Sequence, residues 1–121
     1  MKKVQITEYQ GQKIIQLNFS ALKSEEEISA VIKESIPHIR NNSSGLVYVI
    51  SNLEGMHFNN RIREMFTEFT SGNKHFVKAS AIIGATGLQT FMINGINKVT
   101  GRKLKSFENA QMAKEWLVSQ N

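Results

Sequence analysis

The first third of the chain changes from an alternating to a helical pattern of apolar residues. VQITEY and KIIQLNF alternate between apolar and polar positions, which predicts two β-strands joined by a hairpin at Gln10-Gly11. Ser24 with Glu27 three residues later forms a capping box, and this predicts that a helix begins there. The helix presents one apolar stripe, made of Ile28, Val31, Ile32, Ile36 and Ile39.

The run GLVYVIS, residues 45–51, is apolar without alternation. This pattern is typical of a strand covered on both faces, so we expect it at the centre of a mostly parallel sheet. A second helix is predicted from Asn59 or Asn60, either of which can cap it, to Gly72 as a left-handed end. Its apolar face consists of Ile62, Met65, Phe66 and Phe69.

The remaining segments are FVKASAIIGA, LQTFMINGINKVT, KLKSF and ENAQMAKEWLVS, which predict a strand, a helix ended by Gly101, a short strand and a final helix. The resulting order is ββαβαβαβα. It predicts an α/β fold with a mostly parallel five-stranded sheet and right-handed βα crossovers, in which only the first strand is antiparallel. In the third helix we expect Phe91 in the core and Gly95 against the sheet, in line with Leu88, Met92 and Val99.

Composition limits the protein class. A chain of 121 residues with 40% apolar content predicts one domain, residues 1–121. No apolar run is long enough to cross a bilayer and cysteine is absent, so we expect a soluble, cytoplasmic protein without disulfides. All ten acidic residues are glutamates, which argues against nucleotide hydrolysis, because that chemistry uses an aspartate for magnesium.

Positive charge and histidine suggest no specific site. The net charge is +5, and the densest basic stretch holds Lys98, Arg102, Lys103 and Lys105. We interpret these residues as a solvated face and expect no nucleic-acid partner, although a polyanion patch is the alternative. The three histidines have no metal-ligand spacing, and Ser51 with Glu54 and His57 lacks the glycines of a nucleophile elbow. We therefore predict no metal, no cofactor and no enzymatic activity.

Two loops follow the carboxyl ends of adjacent parallel strands, residues 51–60 and 84–90. The second, GATGLQT, lacks the lysine of a Walker A motif, so we interpret it as a turn shaped by Gly84 and Gly87 with Thr86 capping the third helix. Both helix N-termini should point to one rim. The residues predicted to bind a ligand or partner there are Ser51, Asn52, Met56, Phe58, Asn59, Asn60, Arg61, Thr86 and Gly87.

Four segments together carry a resemblance to a known family: LNFSALKSEEEI, VYVISNLEGMHFNNRIREMFTEF, VKASAIIGATGLQTFMINGINKVTGRKLKSF and AKEWL. In this order they resemble the SpoIIAA-like branch of the STAS superfamily. The resemblance implies a regulatory domain in which a serine at the start of the second main helix is phosphorylated to release or block a protein partner. At that place this chain has Phe58-Asn59-Asn60-Arg61, which contains no hydroxyl group.

Two functional hypotheses follow. The first is a non-catalytic regulatory or protein-interaction module of STAS type, without the phospho-serine switch, that docks a protein through its second helix and the adjoining loops. The alternative is a carrier or sensor of a small hydrophobic or weakly anionic ligand, bound at the rim of the 51–60 and 84–88 loops. Met56 and Phe58 would line such a site or anchor their loop. The sequence leaves a homodimer open.

Overall fold

A computed structural model describes residues 2–42 and 46–120. Its strands are β1 (Val4–Tyr9), β2 (Gln12–Asn18), β3 (Val47–Asn52), β4 (Val77–Ile83) and β5 (Leu104–Phe107). Its helices are α1 (Glu25–Arg40), α2 (Asn60–Gly72), α3 (Gly87–Thr100) and α4 (Ala110–Val118). The predicted ββαβαβαβα order is confirmed. No helix in the described part of the chain has the length and apolar character needed to span a membrane.

The five strands form one sheet in the order β1-β2-β3-β4-β5. The β1–β2 pair is antiparallel and the other three pairs are parallel, as predicted. β3 lies at the centre of the sheet, and the first five of its six residues are buried. The mostly parallel direction brings the carboxyl ends of β2, β3 and β4 to the same edge.

Helices cover the two faces of the sheet unequally. α1, α2 and α3 pack on one face, over a core that includes Ile15, Val49 and Ile62. α4 covers the other face and packs its Leu117 against residues such as Tyr48 and Ala81. β3 contributes to both cores because successive side chains of a strand point to opposite faces.

The helix starts follow the predicted caps. Ser24 and Glu27 form a reciprocal capping box on α1, and the Asn59 side chain accepts a hydrogen bond from Ile62 N at the start of α2. Gly101 adopts a left-handed conformation, with φ 75°, at the end of α3.

The prediction that Gly72 is a left-handed cap was wrong. α2 includes Gly72 and ends at Asn73, which has a right-handed helical backbone with φ −88° and donates its N–H to Phe69 O. A Cβ at Gly72 would lie 2.5 Å from Arg40 Nη2. The missing side chain therefore leaves room for Arg40 rather than permitting an unusual backbone conformation.

The predicted orientation of α3 was also wrong. Phe91 is 75% exposed, and Leu88 and Val99 are exposed with it. Gly95 is exposed too, and a Cβ built on it would meet no other atom within 4 Å. The buried face of α3 instead consists of Gln89, Ile93 and Ile96. The helix is apolar on several sides, so its apolar residues alone do not specify which side meets the sheet.

Candidate functional site

The loops after β3 and β4 lie side by side at the carboxyl edge of the sheet, as expected. Asn52 pairs with Ile83 in the ladder, and Leu53 N then donates to Ile83 O at 2.9 Å. Gly84 has φ 74°, and a Cβ there would lie 2.8 Å from Glu54 N. The two loops are thus in close contact at Gly84, and the contact leaves no space for a side chain.

The loop from Leu53 to Asn59 folds into the protein. Met56 is only 5% exposed, and Phe58 is partly buried against the same core. Met56 N donates to Leu53 O, and His57 N donates to Leu22 O at 2.9 Å. Met56 and Phe58 therefore anchor the loop, and neither contributes to a large exposed apolar surface.

Helix capping engages the polar side chains of both loops. Thr86 Oγ1 accepts from Gln89 N at 3.1 Å, and Gln89 Oε1 accepts from Thr86 N at 2.9 Å, which completes a second capping box. The same Gln89 side chain donates from Nε2 to Met56 O at 3.1 Å. The GATGLQT turn thus caps α3, as interpreted, and Gln89 ties it to the neighbouring loop.

The structure places the nine residues predicted to bind a ligand or partner in several different environments. Ser51 and Phe58 line a 30 Å³ cavity between the sheet and helices α2 and α3. Asn52 lines a different cavity, of 240 Å³, together with Lys2 and Lys3. Met56 is in the core, Asn59 and Thr86 cap helices, and Asn60, Arg61 and Gly87 are exposed.

Arg61 lies beside an open groove between α1 and α2. The groove has a volume of 810 Å³, and its walls include the apolar residues Ile36 and Met65 among charged side chains. Arg61 lies 4.0 Å from Glu25 and 3.5 Å from Glu64, measured between nitrogen and oxygen. These exposed ion pairs partly balance the charge of Arg61.

Sequence reasoning missed the most exposed apolar surface in the described chain. Leu88, Phe91 and Val99 are 67%, 75% and 76% exposed. With Gly95 they follow the helical spacing of positions 88, 91, 95 and 99, which places them in one stripe. We name this stripe the α3 apolar face. The apolar pattern alone gave no signal for this face, because α3 carries apolar residues on several sides and its buried stripe includes the polar Gln89.

The predicted basic stretch is divided among three environments. Lys98 and Lys103 are exposed, whereas Arg102 is buried. Lys105 Nζ lies 5.6 Å from the Phe107 ring centroid and 5.7 Å from that of Trp116, on the sheet face covered by α4. Burial lowers the pKa of Arg102, because the interior disfavours the charged guanidinium. The stretch does not form one basic patch.

The described residues give little support to a metal site or to a catalytic set of Ser51, Glu54 and His57. Across residues 2–42 and 46–120, no three histidine or glutamate side chains cluster as metal ligands. Ser51 is 7% exposed, whereas Glu54 and His57 are exposed. His57 Nε2 lies 3.4 Å from Asn59 Nδ2. The serine and the histidine therefore have different environments and are not arranged as a catalytic pair.

Comparison with known proteins identifies the family. The SpoIIAA-like family model matches residues 14–118, and the chain belongs to this family. No curated protein matches the sequence. The fold is that of the STAS class, as two solved structures show.

One of these structures is an uncharacterised protein of the DUF3478 family with a SpoIIAA-like fold, from Shewanella loihica PV-4. It is 18% identical, with a TM-score of 0.66 over 94% of this chain and 91% of that chain. The other is an anti-sigma-factor antagonist (STAS) domain protein from Planctomyces limnophilus. It is 15% identical, with a TM-score of 0.64 over 95% of this chain and 97% of that chain. At these identities the likeness establishes the fold alone.

Proposed function

We propose that this protein is a non-catalytic protein-interaction module of STAS type, and that its docking surface is the α3 apolar face. The observation that carries the proposal is the exposure of Leu88, Phe91 and Val99, at 67%, 75% and 76%. Single exposed apolar side chains are ordinary on protein surfaces, but several large ones on one face of a helix are typical of interaction sites. On this proposal, docking uses the third helix rather than the second.

The shape of the stripe suits a helix or ridge of a partner protein. Gly95 lies between Phe91 and Val99, and the space above it is open. A partner backbone can approach closely at Gly95 while the flanking side chains pack on either side of it. The partner's contact surface should therefore be apolar and narrow.

Charge around the stripe favours an acidic flank on the partner. α3 contains Lys98 and no acidic residue. The Lys74 side chain reaches the C-terminal end of α3, where its Nζ would be 2.9 Å from a Cβ built on Gly101. Lys103 lies two residues after Gly101 in the sequence. Carboxylates near these three lysines would raise the association rate and fix the orientation.

The module works without the phospho-serine switch of the better-known family members. Asn59 caps α2 in the segment where the resemblance places the phosphorylated serine, and its side chain accepts from Ile62 N at 2.8 Å. Ser51, which precedes this segment in the sequence, has a hydroxyl group but is only 7% exposed. A kinase would meet no accessible hydroxyl at either position. Stoichiometric phosphorylation of Ser51 that changed partner binding would contradict this.

The carrier hypothesis finds little support in the cavity that Ser51 and Phe58 share. Ser51 and Phe58 line a common cavity, as a ligand site would require, but its volume is only 30 Å³. A fatty acid or lysolipid does not fit this space, since drug-sized ligands occupy pockets of about 300 Å³ or more. Native mass spectrometry of protein purified from its host distinguishes the two hypotheses, because a carrier would retain a small molecule.

Site-specific photocrosslinking in the native host tests the docking surface. A photoreactive side chain at position 91 should capture a defined protein, whereas one at position 115, on the exposed side of α4, should not. With the purified partner, Phe91→Glu and Val99→Glu should each weaken binding about tenfold or more. Met112→Glu is the matched control, because Met112 is an exposed apolar residue of α4. Capture from position 65 in the α1–α2 groove, without capture from position 91, would contradict this proposal and show that the partner binds at the second helix.

A further inference from the structure

Within residues 2–42 and 46–120, Arg102 is a buried cation without a buried counter-charge. It is 8% exposed, and an arginine side chain stays protonated at neutral pH. All ten carboxylate side chains of the chain are glutamates and all of them are exposed. Among the described residues, the two ion pairs that form both involve Arg61. A buried charge is costly unless it is paired and hydrogen-bonded, so an anion bound beside Arg102 would stabilise its positive charge.

Neutral oxygens satisfy only part of the guanidinium. Its Nη1 donates to Thr70 O at 2.6 Å, and its Nη2 donates to Ser80 Oγ at 2.7 Å. The left-handed Gly101 turns the chain inward just before Arg102, and Arg102 N donates to Thr100 Oγ1 at 3.1 Å. A guanidinium carries five N–H groups, and these two hydrogen bonds use two of them. Local backbone geometry therefore fixes a cation that still has donors available.

A small cavity of 30 Å³ lies beside this guanidinium. Its lining includes the hydroxyl residues Ser51 and Ser80, together with Asn73 and Arg102. The rest of the lining is largely apolar. A single water requires about 10–15 Å³, so the cavity has room for one small ion and for no long ligand.

We propose that this cavity is a binding site for one small monovalent anion, held by the Arg102 guanidinium. The site would recognise a single negative charge that carries acceptor lone pairs. A halide ion and a small carboxylate such as formate both have these properties. The hydroxyls of Ser51 and Ser80 are close enough to line the site and can donate to the same anion. Sulfate and phosphate are excluded by size and by their second charge, because the described cavity lining contains one cation.

The half-buried Phe58 indicates the path to solvent. Among the described lining residues it is the one that is not fully buried, and it belongs to the loop anchored by Met56. On this proposal, an ion reaches the cavity beside the Phe58 side chain. This site is separate from the α3 apolar face, so the docking proposal and the anion proposal can fail independently.

Thermal unfolding at constant ionic strength tests the proposal. The purified wild-type protein, exchanged into sodium methanesulfonate, is titrated with sodium chloride, sodium bromide or sodium formate as replacement salts. We expect a saturable rise in Tm of roughly 4 °C once the concentration of free anion exceeds its Kd about tenfold. A rise in Tm with halides alone would show that the site prefers a halide ion. A larger rise with formate would show that it prefers a carboxylate. A Tm independent of the anion would overturn the proposal.

Three variants locate the effect. Arg102→Met should abolish the anion response, and Lys103→Met, which removes a neighbouring exposed charge, should retain it. If Arg102→Met does not fold, Ser80→Ala keeps the arginine and should weaken the response. The Nε–Hε resonance of Arg102 should also shift with halide in the wild-type protein. Loss of the response in Lys103→Met, or an unshifted Arg102 resonance, would assign the effect to the surface and contradict the proposal.

Discussion

Gln89 Nε2 donates a hydrogen bond to Met56 O across 3.1 Å, and so connects the N-terminus of α3 to the loop after β3. Both residues are buried, at 3% and 5% exposure. Because Gln89 Oε1 also accepts from Thr86 N, a single amide side chain satisfies a helix cap and a buried loop carbonyl. The spacing of the two candidate loops depends on this residue.

Gln89→Ala should destabilise the protein by about 1–3 kcal/mol, because a buried carbonyl loses its donor and the capping box is broken. Thr86→Ala removes the cap alone and should cost about 1 kcal/mol. The control is Gln111→Ala, an exposed glutamine of α4, for which we expect a change within about 0.5 kcal/mol. Urea unfolding measures all three. Equal costs for Gln89→Ala and Gln111→Ala would show that the loop connection carries no stability.

Two glycines of the same turn should respond in opposite ways to alanine. Gly84→Ala forces a side chain onto a backbone with φ 74° and within 2.8 Å of Glu54 N, so we expect a loss of about 2–4 kcal/mol. Gly87→Ala places the same methyl group in open space at the first position of α3, where it should be neutral or stabilising by up to about 1 kcal/mol. Thermal denaturation separates the two variants. Similar losses for both would contradict the close approach at Gly84.

Phenylalanine positions should divide into core and surface. Phe91→Glu should change the free energy of unfolding by no more than about 0.5 kcal/mol, because the side chain is 75% exposed. Phe69→Ala should cost about 3–5 kcal/mol, because Phe69 is buried and its ring centroid lies 6.5 Å from that of Phe66. Chemical denaturation of both variants tests the orientation of α3. A large loss for Phe91→Glu would place Phe91 in the core after all.

The capping box of α1 should weaken in acid. The pKa of Glu27 is lowered, first by the hydrogen bond from the backbone N–H of Lys23 and then by hydrogen bonds from Ser24. A lowered pKa means that the ionised carboxylate stabilises the folded state above the ordinary glutamate pKa, and that this contribution is lost as the pH falls through the folded value.

The measurement is the difference in stability between the wild-type protein and Glu27→Gln, followed from pH 7 downward. The difference should shrink below a pH of about 4.3, the ordinary glutamate pKa. Glu26→Gln is the control, since Glu26 is an exposed neighbour in the same turn. A difference that grows on acidification would reverse the sign of the expected coupling.

The strands and helix starts could be predicted from sequence because each has a local cause. The two-residue period of β2, the unbroken apolar run of β3 and the capping residue Ser24 act within a few positions of the chain. Met56 could be assigned either to a ligand site or to the loop anchor, and only the packing against the core decides for the anchor.

The orientation of α3 and the environment of Arg102 could not be predicted in this way. α3 carries apolar residues on two sides, and the side that is buried depends on Gln89, a polar residue that apolar patterns ignore. Arg102 lies in a basic stretch that looks solvent-exposed in sequence, and its burial depends on Thr70 and Ser80, which are 32 and 22 residues away along the chain. Both features are set by tertiary contacts rather than by local sequence.

The strand order β1-β2-β3-β4-β5 repeats the order of synthesis. Each new strand pairs with the strand made just before it, so no strand has to insert between two that are already paired, and the entropy lost in closing each loop stays small. A ribosome-bound chain can therefore add its sheet one βα unit at a time. Until α4 emerges, the nascent domain exposes the apolar face formed by Ile14, Tyr48 and Ile50, which is the surface that a chaperone would meet during translation.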